Sequence, residues 1–135
     1  MSDALYHDAI LARAKDTTRE GRLPSPDRTA MRDNPLCGDR VTLDFALDGT
    51  RITAVRHLVR GCALCRASAA LLAAELEGRE STEVDAAAAR LDAALSGPDG
   101  PTTADWQIFA PLVRHKSRHD CVRLPFVAAK AALGT

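Results

Sequence analysis

Four cysteines are the residues in this chain best equipped to do chemistry. Cys37 lies in Asn-Pro-Leu-Cys-Gly-Asp (34–39), Cys62 and Cys65 in Gly-Cys-Ala-Leu-Cys (61–65), and Cys121 in Arg-His-Asp-Cys (118–121). A thiol that ionises becomes a soft metal ligand and a nucleophile toward sulfur. Gly38 allows a tight turn after Cys37 and brings the Asp39 carboxylate toward the same place. Cys62 falls at an expected strand-to-helix junction. There the unpaired N–H groups and the helix dipole are expected to lower its pKa. Cys121 is expected near another helix start, with His119 and Asp120 beside it as further ligands.

Cys37, Asp39, Cys62 and Cys121 together offer three sulfurs and one oxygen. A tetrahedral centre of that composition suits zinc or iron. His119 or Asp120 could replace Asp39 if the centre rearranges. Cys65 completes a Cys-x-x-Cys pair with three open readings: half a zinc site, a dithiol redox couple, or one reactive thiol beside a packed one. Cys37 also has a plain reading as a cysteine buried in a turn. His7, His57 and His115 read as surface or packing residues. Arg118 reads as a solvated charge, close enough to the site to meet a partner or an anion.

The elements that must position these residues are partly legible. Leu5 with Ala9, and Tyr6 with Ile10 and Ala14, make a helical stripe over 3–19 that Gly21 ends. Residues 20–36, with Pro24, Pro26 and Pro35, read as a loop. Val41, Leu43, Phe45 and Leu47 alternate with polar residues and predict a half-buried strand over 40–48. Asp48-Gly49 predicts a hairpin into a second strand over 51–60. That strand's inward face is ambiguous, because Ile52 and Leu58 oppose Val55 and Val59 in phase. A mostly apolar helix follows over 62–77. Another, capped by Ser81 or Thr82, runs to about Leu95. A Gly/Pro loop spans 96–101 and a short helix 102–114. The last helix is expected to start near Cys121, with Pro125 in its first turn.

Bulk properties narrow the class. The 135 residues fit one domain, 1–135. Lys+Arg and Asp+Glu balance at 18 each, which argues against broad non-specific nucleic-acid binding and leaves local basic surfaces open. No apolar run reaches the roughly 18 residues that a membrane helix requires. The polar N-terminus lacks the apolar stretch of a signal peptide, so a cytoplasmic location is expected. In that compartment clustered cysteines serve as metal ligands or redox groups more than as disulfides.

These motifs resemble the U-type iron–sulfur cluster assembly proteins: IscU, SufU and the N-terminal domain of NifU. The resemblance rests on Asn-Pro-Leu-Cys-Gly-Asp, on Gly-Cys followed by Ala-Ser at 61–68, on a third cysteine at the last helix, and on Leu-Tyr-His-Asp-Ala-Ile near the start. It implies an α+β fold with a small antiparallel three-stranded sheet packed against several helices and a site at one end. It also implies Cys37, Asp39, Cys62 and Cys121 as ligands of zinc, iron or a [2Fe–2S] cluster. Cys65 is an extra thiol. The long stretch from Cys62 to Cys121, with 79–105 as an insertion, and Arg118 and Asp120 before the last cysteine, are similar to the SufU branch.

The resemblance further implies a scaffold or sulfur-transfer protein rather than a stand-alone enzyme. Its partners would be a PLP-dependent cysteine desulfurase of the SufS or IscS kind and the apo-proteins that accept clusters. Cys37 is the expected persulfide acceptor in a SufU-like mechanism, and Cys121 in an IscU-like one. Two other classes stay open at this point. One is a thioredoxin-like dithiol oxidoreductase using Cys62 and Cys65. The other is a structural zinc interaction domain with a closed, unreactive site.

Overall fold

The computed structural model describes residues 2–36, 38–96 and 103–134, with side chains of the first helix from Asp8 onward. Cys37, residues 97–101 of the Gly/Pro loop and the first residue of the expected short helix, Thr102, therefore lie outside the described residues, as do the side chains of Leu5, Tyr6 and His7.

Three strands form one antiparallel sheet in the order β1 (Arg28–Asn34), β2 (Asp39–Asp48), β3 (Arg51–Arg60). β1 falls inside the segment read as a loop. Its sequence, Arg-Thr-Ala-Met-Arg-Asp-Asn, buries only its last residue, so it carries no apolar alternation. The ladder to β2, from Arg28 opposite Phe45 to Asn34 opposite Asp39, makes it a strand. β2 presents Val41, Leu43 and Phe45, all fully buried, to the core. The ambiguous phase of β3 is resolved by a register shift between Ala46 and Leu47. Ala46 pairs with Ala54 but Leu47 pairs with Ile52, leaving Thr53 as the extra residue. That bulge turns Ile52 inward together with Val55; Leu58, on the opposite face from Val55 by plain alternation, is exposed.

α1 (Ser2–Ala14) is shorter than the expected 3–19. Asp16 Oδ1 accepts the Thr18 N–H at 3.1 Å, and the Arg19 carbonyl accepts the His57 N–H at 3.0 Å. These bonds hold the chain against β3 instead of continuing the helix. α2 (Ala63–Leu76) buries most of its circumference. α3 (Val84–Ser96) follows a 3₁₀ turn, Ser81–Glu83. The cap is Glu80, not Ser81 or Thr82: Glu80 and Glu83 form a reciprocal capping box. Trp106–Arg114 is a 3₁₀ segment containing Pro111.

α4 (Lys116–Leu133) starts five residues before Cys121, not near it. Its polar opening, Lys-Ser-Arg-His-Asp, gives no apolar period from which to read a helix. Pro125 consequently sits in the helix interior. The backbone bond it cannot donate is the one that would reach the Cys121 carbonyl. α2 and α4 pack on each other and on the inner face of the sheet, and α1 packs on α2. Trp106, Phe109 and Phe126 close the far side of the core, with Trp106 and Phe126 rings 5.3 Å apart.

Candidate metal centre

Three elements deliver one donor each to a common point. Asp39 opens β2 and is 2% exposed. Cys62 is the N-cap residue of α2, with extended backbone and no capping bond from its own side chain. Cys121 lies on the second turn of α4 and is 4% exposed. One ligand atom from each of the three lies within 4.8 Å of the other two. The Asp39 carboxylate divides its work. Oδ1 accepts the Cys62 backbone N–H at 3.0 Å, tying the start of α2 to β2, and Oδ2 accepts the Cys62 thiol at 3.3 Å.

The surroundings of Cys62 work against the expected low pKa. Burial is the largest influence and pushes the thiol pKa up. The backbone N–H groups of Cys65 and Leu64 pull it down, as a helix start should. The Asp39 carboxylate, as hydrogen-bond acceptor and as negative charge, adds to the rise.

A cavity of about 350 Å³ opens over the three donors. Asn34, Leu36, Ser117, Arg118 and Asp120 line it with them. Arg118 and Asp120 thus stand at the mouth, beside the donors but outside the three-residue cluster. His119 is buried, and its Nε2 lies 2.7 Å from the Leu112 carbonyl. That contact commits the ring to the 3₁₀ segment. Cys65 is fully buried in the core. His57 packs under the 15–21 segment at 6% exposure, and burial lowers its pKa.

Two supporting residues escaped the sequence reading. Asn34 is buried at the end of β1. Its side chain accepts the Leu36 N–H at 3.1 Å and its carbonyl accepts the Gly38 N–H at 2.8 Å, which pins Leu36 and Gly38 to the end of the strand. Ser68 donates to the Val122 carbonyl at 2.6 Å, tying α2 to α4 one residue after Cys121. An asparagine after a strand and a serine in an alanine-rich helix are too common to be recognised from sequence.

A family model described as the NifU-like N-terminal domain matches residues 5–105. The chain belongs to that family. A crystal structure of a nitrogen-fixing NifU-like protein (N-terminal) from Brucella abortus is 31% identical. It superposes with a TM-score of 0.86 over 98% of this chain and 94% of its own. The zinc-dependent sulfurtransferase SufU of Bacillus subtilis (strain 168) is 31% identical over 78 residues, 58% of this chain and 52% of that relative's length. The scaffold protein IscU of Streptococcus pyogenes serotype M1 is 23% identical over 132 residues, 96% of this chain and 82% of its own. The NifU-like fold is α+β, a three-stranded antiparallel sheet with helices on one face, as the motifs implied. It contains no βαβ unit among the described residues, and Cys65 is buried. Both facts weigh against a thioredoxin-like use of Cys62 and Cys65. No described helix is long and apolar enough to cross a membrane.

Proposed function

We propose that this chain is an iron–sulfur cluster assembly protein of the SufU-like kind, working in the cytoplasm as a single domain over 1–135. It takes sulfur as a persulfide from a PLP-dependent cysteine desulfurase and serves apo-proteins that receive clusters. One observation carries the reading: Asp39, Cys62 and Cys121, 82 residues apart at the extremes, converge within 4.8 Å beneath an open cavity. The family relatives point the same way, since they include a zinc-dependent sulfurtransferase and a cluster assembly scaffold.

Two thiols and a carboxylate at this spacing fit a tetrahedral zinc or iron ion, and Cys37, two residues before Asp39, is proposed as the fourth ligand. Bound there, such an ion would stabilise the thiolates against the burial that pushes the Cys62 pKa up. The chain's own residues do the rest. Asp39 keeps Oδ1 on the Cys62 N–H, so the carboxylate presents a single oxygen to the centre. A single oxygen is easier to displace than a fourth thiolate. Asn34 anchors Leu36 and Gly38, the neighbours in sequence of Cys37, the proposed acceptor. Its thiolate attacks the outer sulfur of the desulfurase persulfide. A new S–S bond forms, the donor's S–S bond breaks, and the electron pair leaves on the donor cysteine, with no net oxidation. In the IscU-like variant Cys121 accepts the sulfur and the same donors hold a [2Fe–2S] cluster as cargo. Arg118 and Asp120, at the mouth, meet the docking protein.

The test is persulfide mapping by mass spectrometry after incubation with a cysteine desulfurase and L-cysteine. Zinc content is measured alongside in wild type and in Cys37→Ala, Cys62→Ala and Cys121→Ala. Wild type is expected to carry the persulfide on Cys37, and Cys37→Ala to lose it. A persulfide on Cys121 would move the acceptor role. A wild-type chain that takes no sulfur on any cysteine would end the reading.

A further inference from the structure

We propose that Gly61 is a positioning residue of the metal centre: its missing side chain is the space in which the Asp39 carboxylate stands. The inference rests on the reading of Asp39 as a ligand. Six glycines fall among the described residues, and five of them have positive φ with open space where a Cβ would be. Gly61 is the reverse case. Its backbone is one that any residue could adopt, but a Cβ built on it would overlap Asp39 Oδ1 and stand 2.6 Å from Cγ and 3.0 Å from Cβ of the same side chain. Backbone freedom does not call for glycine here. Space does.

The obstructed group is not the loose end of a flexible chain. Asp39 is buried, its backbone is paired with Asn34 in the ladder, and both carboxylate oxygens are engaged with Cys62. Any side chain at position 61 would push the carboxylate off the Cys62 N–H and away from the Cys62 thiol. That removes the oxygen donor and leaves sulfur alone. Residue 61 therefore decides whether the centre includes its most displaceable ligand, although it offers no ligand atom itself.

The test is a double-mutant cycle on the full chain: wild type, Gly61→Ala, Asp39→Ala and the double variant. Zinc affinity is measured by chelator competition, and Co²⁺ loaded in place of zinc reports the donor set by its visible absorption. Gly61→Ala is expected to lose about ten- to a hundredfold in zinc affinity, the usual effect of disturbing the support of a ligand. Its cobalt spectrum should match that of Asp39→Ala. In the Asp39→Ala background, adding Gly61→Ala should change affinity by less than about twofold, the limit for additive sites. The double variant keeps only the 3.0 Å Cβ–Cβ contact, which a small shift relieves. Unchanged affinity and spectrum in Gly61→Ala would overturn the proposal, and so would full additivity of the two substitutions. If Gly61→Ala does not fold, the double variant decides: recovery of the metal-free thermal transition supports action through Asp39, and continued failure to fold overturns it. A wild-type chain that binds neither ion removes the ligand reading instead. The metal-free melting cycle then still reads the coupling between Gly61 and Asp39.

Discussion

Cys62 and Cys65 sit three residues apart on one stretch of chain and have opposite surroundings. Cys62 is half-buried at the helix cap with its thiol on Asp39, while Cys65 is fully buried as part of the hydrophobic core. Only Cys62 can present sulfur to an ion in the cavity. Cys65→Ala is expected to leave one zinc per chain and to cost about 1 kcal/mol of stability from the small cavity it opens. Elemental analysis and urea denaturation check both. Loss of zinc in Cys65→Ala would show that the donor set is wrong. Asp39 shows how one residue can hold two roles: one oxygen holds the backbone at the helix start and the other faces a thiol, so its removal touches fold and site together.

Element by element, the site depends on how strand and helix ends are pinned. The 20–27 segment crosses the outer face of the sheet and is clamped on Asp44. That wholly buried carboxylate accepts from Arg22 Nε at 2.6 Å, the Leu23 N–H at 3.0 Å and the Thr29 hydroxyl at 2.7 Å. Burial alone would raise the Asp44 pKa. The hydrogen bonds from Arg22, Thr29 and Leu23 and the Arg22 charge outweigh it and hold the group below its ordinary 3.8. A depressed folded-state pKa stabilises the fold fully above the unfolded value, and the gain fades as pH falls through the folded value. Asp44→Asn should therefore cost about 1–3 kcal/mol at pH 7. The gap to wild type should narrow once the pH drops below the ordinary carboxylate range. Urea titrations at the two extremes measure it, and a gap that is the same at both would refute the role given to the Asp44 charge.

At the scale of the whole molecule, the donors come together only in the folded chain. Asp39, Cys62 and Cys121 belong to β2, α2 and α4, which meet around one core. An ion bound to all three favours the native state over the unfolded one. Zinc at about a hundred times its dissociation constant should add about 2.7 kcal/mol. For a domain of this size that raises Tm by on the order of 10 °C. Calorimetry with and without zinc reads the shift, and Cys121→Ala should abolish it. A Tm indifferent to zinc would contradict a centre assembled by the fold.

The apolar alternation of 41–47, the hairpin at Asp48-Gly49 and the helix after Cys62 were legible because each is written in local periodicity or turn chemistry. So was the membership of Asp39, Cys62 and Cys121 in one motif set, which the resemblance supplied. β1 was hidden because an edge strand with six unburied positions owes its form to its neighbour's ladder. The early start of α4 was hidden because its first turn is polar and Pro125 imitates a first-turn proline. The Cys62 thiol was misjudged for a related reason: the helix start is local, but burial and the Asp39 charge come from elsewhere in the chain. The sequence by itself determined which groups were available and most of the segments that carry them. Only the tertiary structure decided that one cysteine of the Cys-x-x-Cys pair belongs to the core, that His119 turns to Leu112, and that Gly61 leaves room for Asp39. Those outcomes depend on packing between segments remote in sequence, where local patterns carry no information.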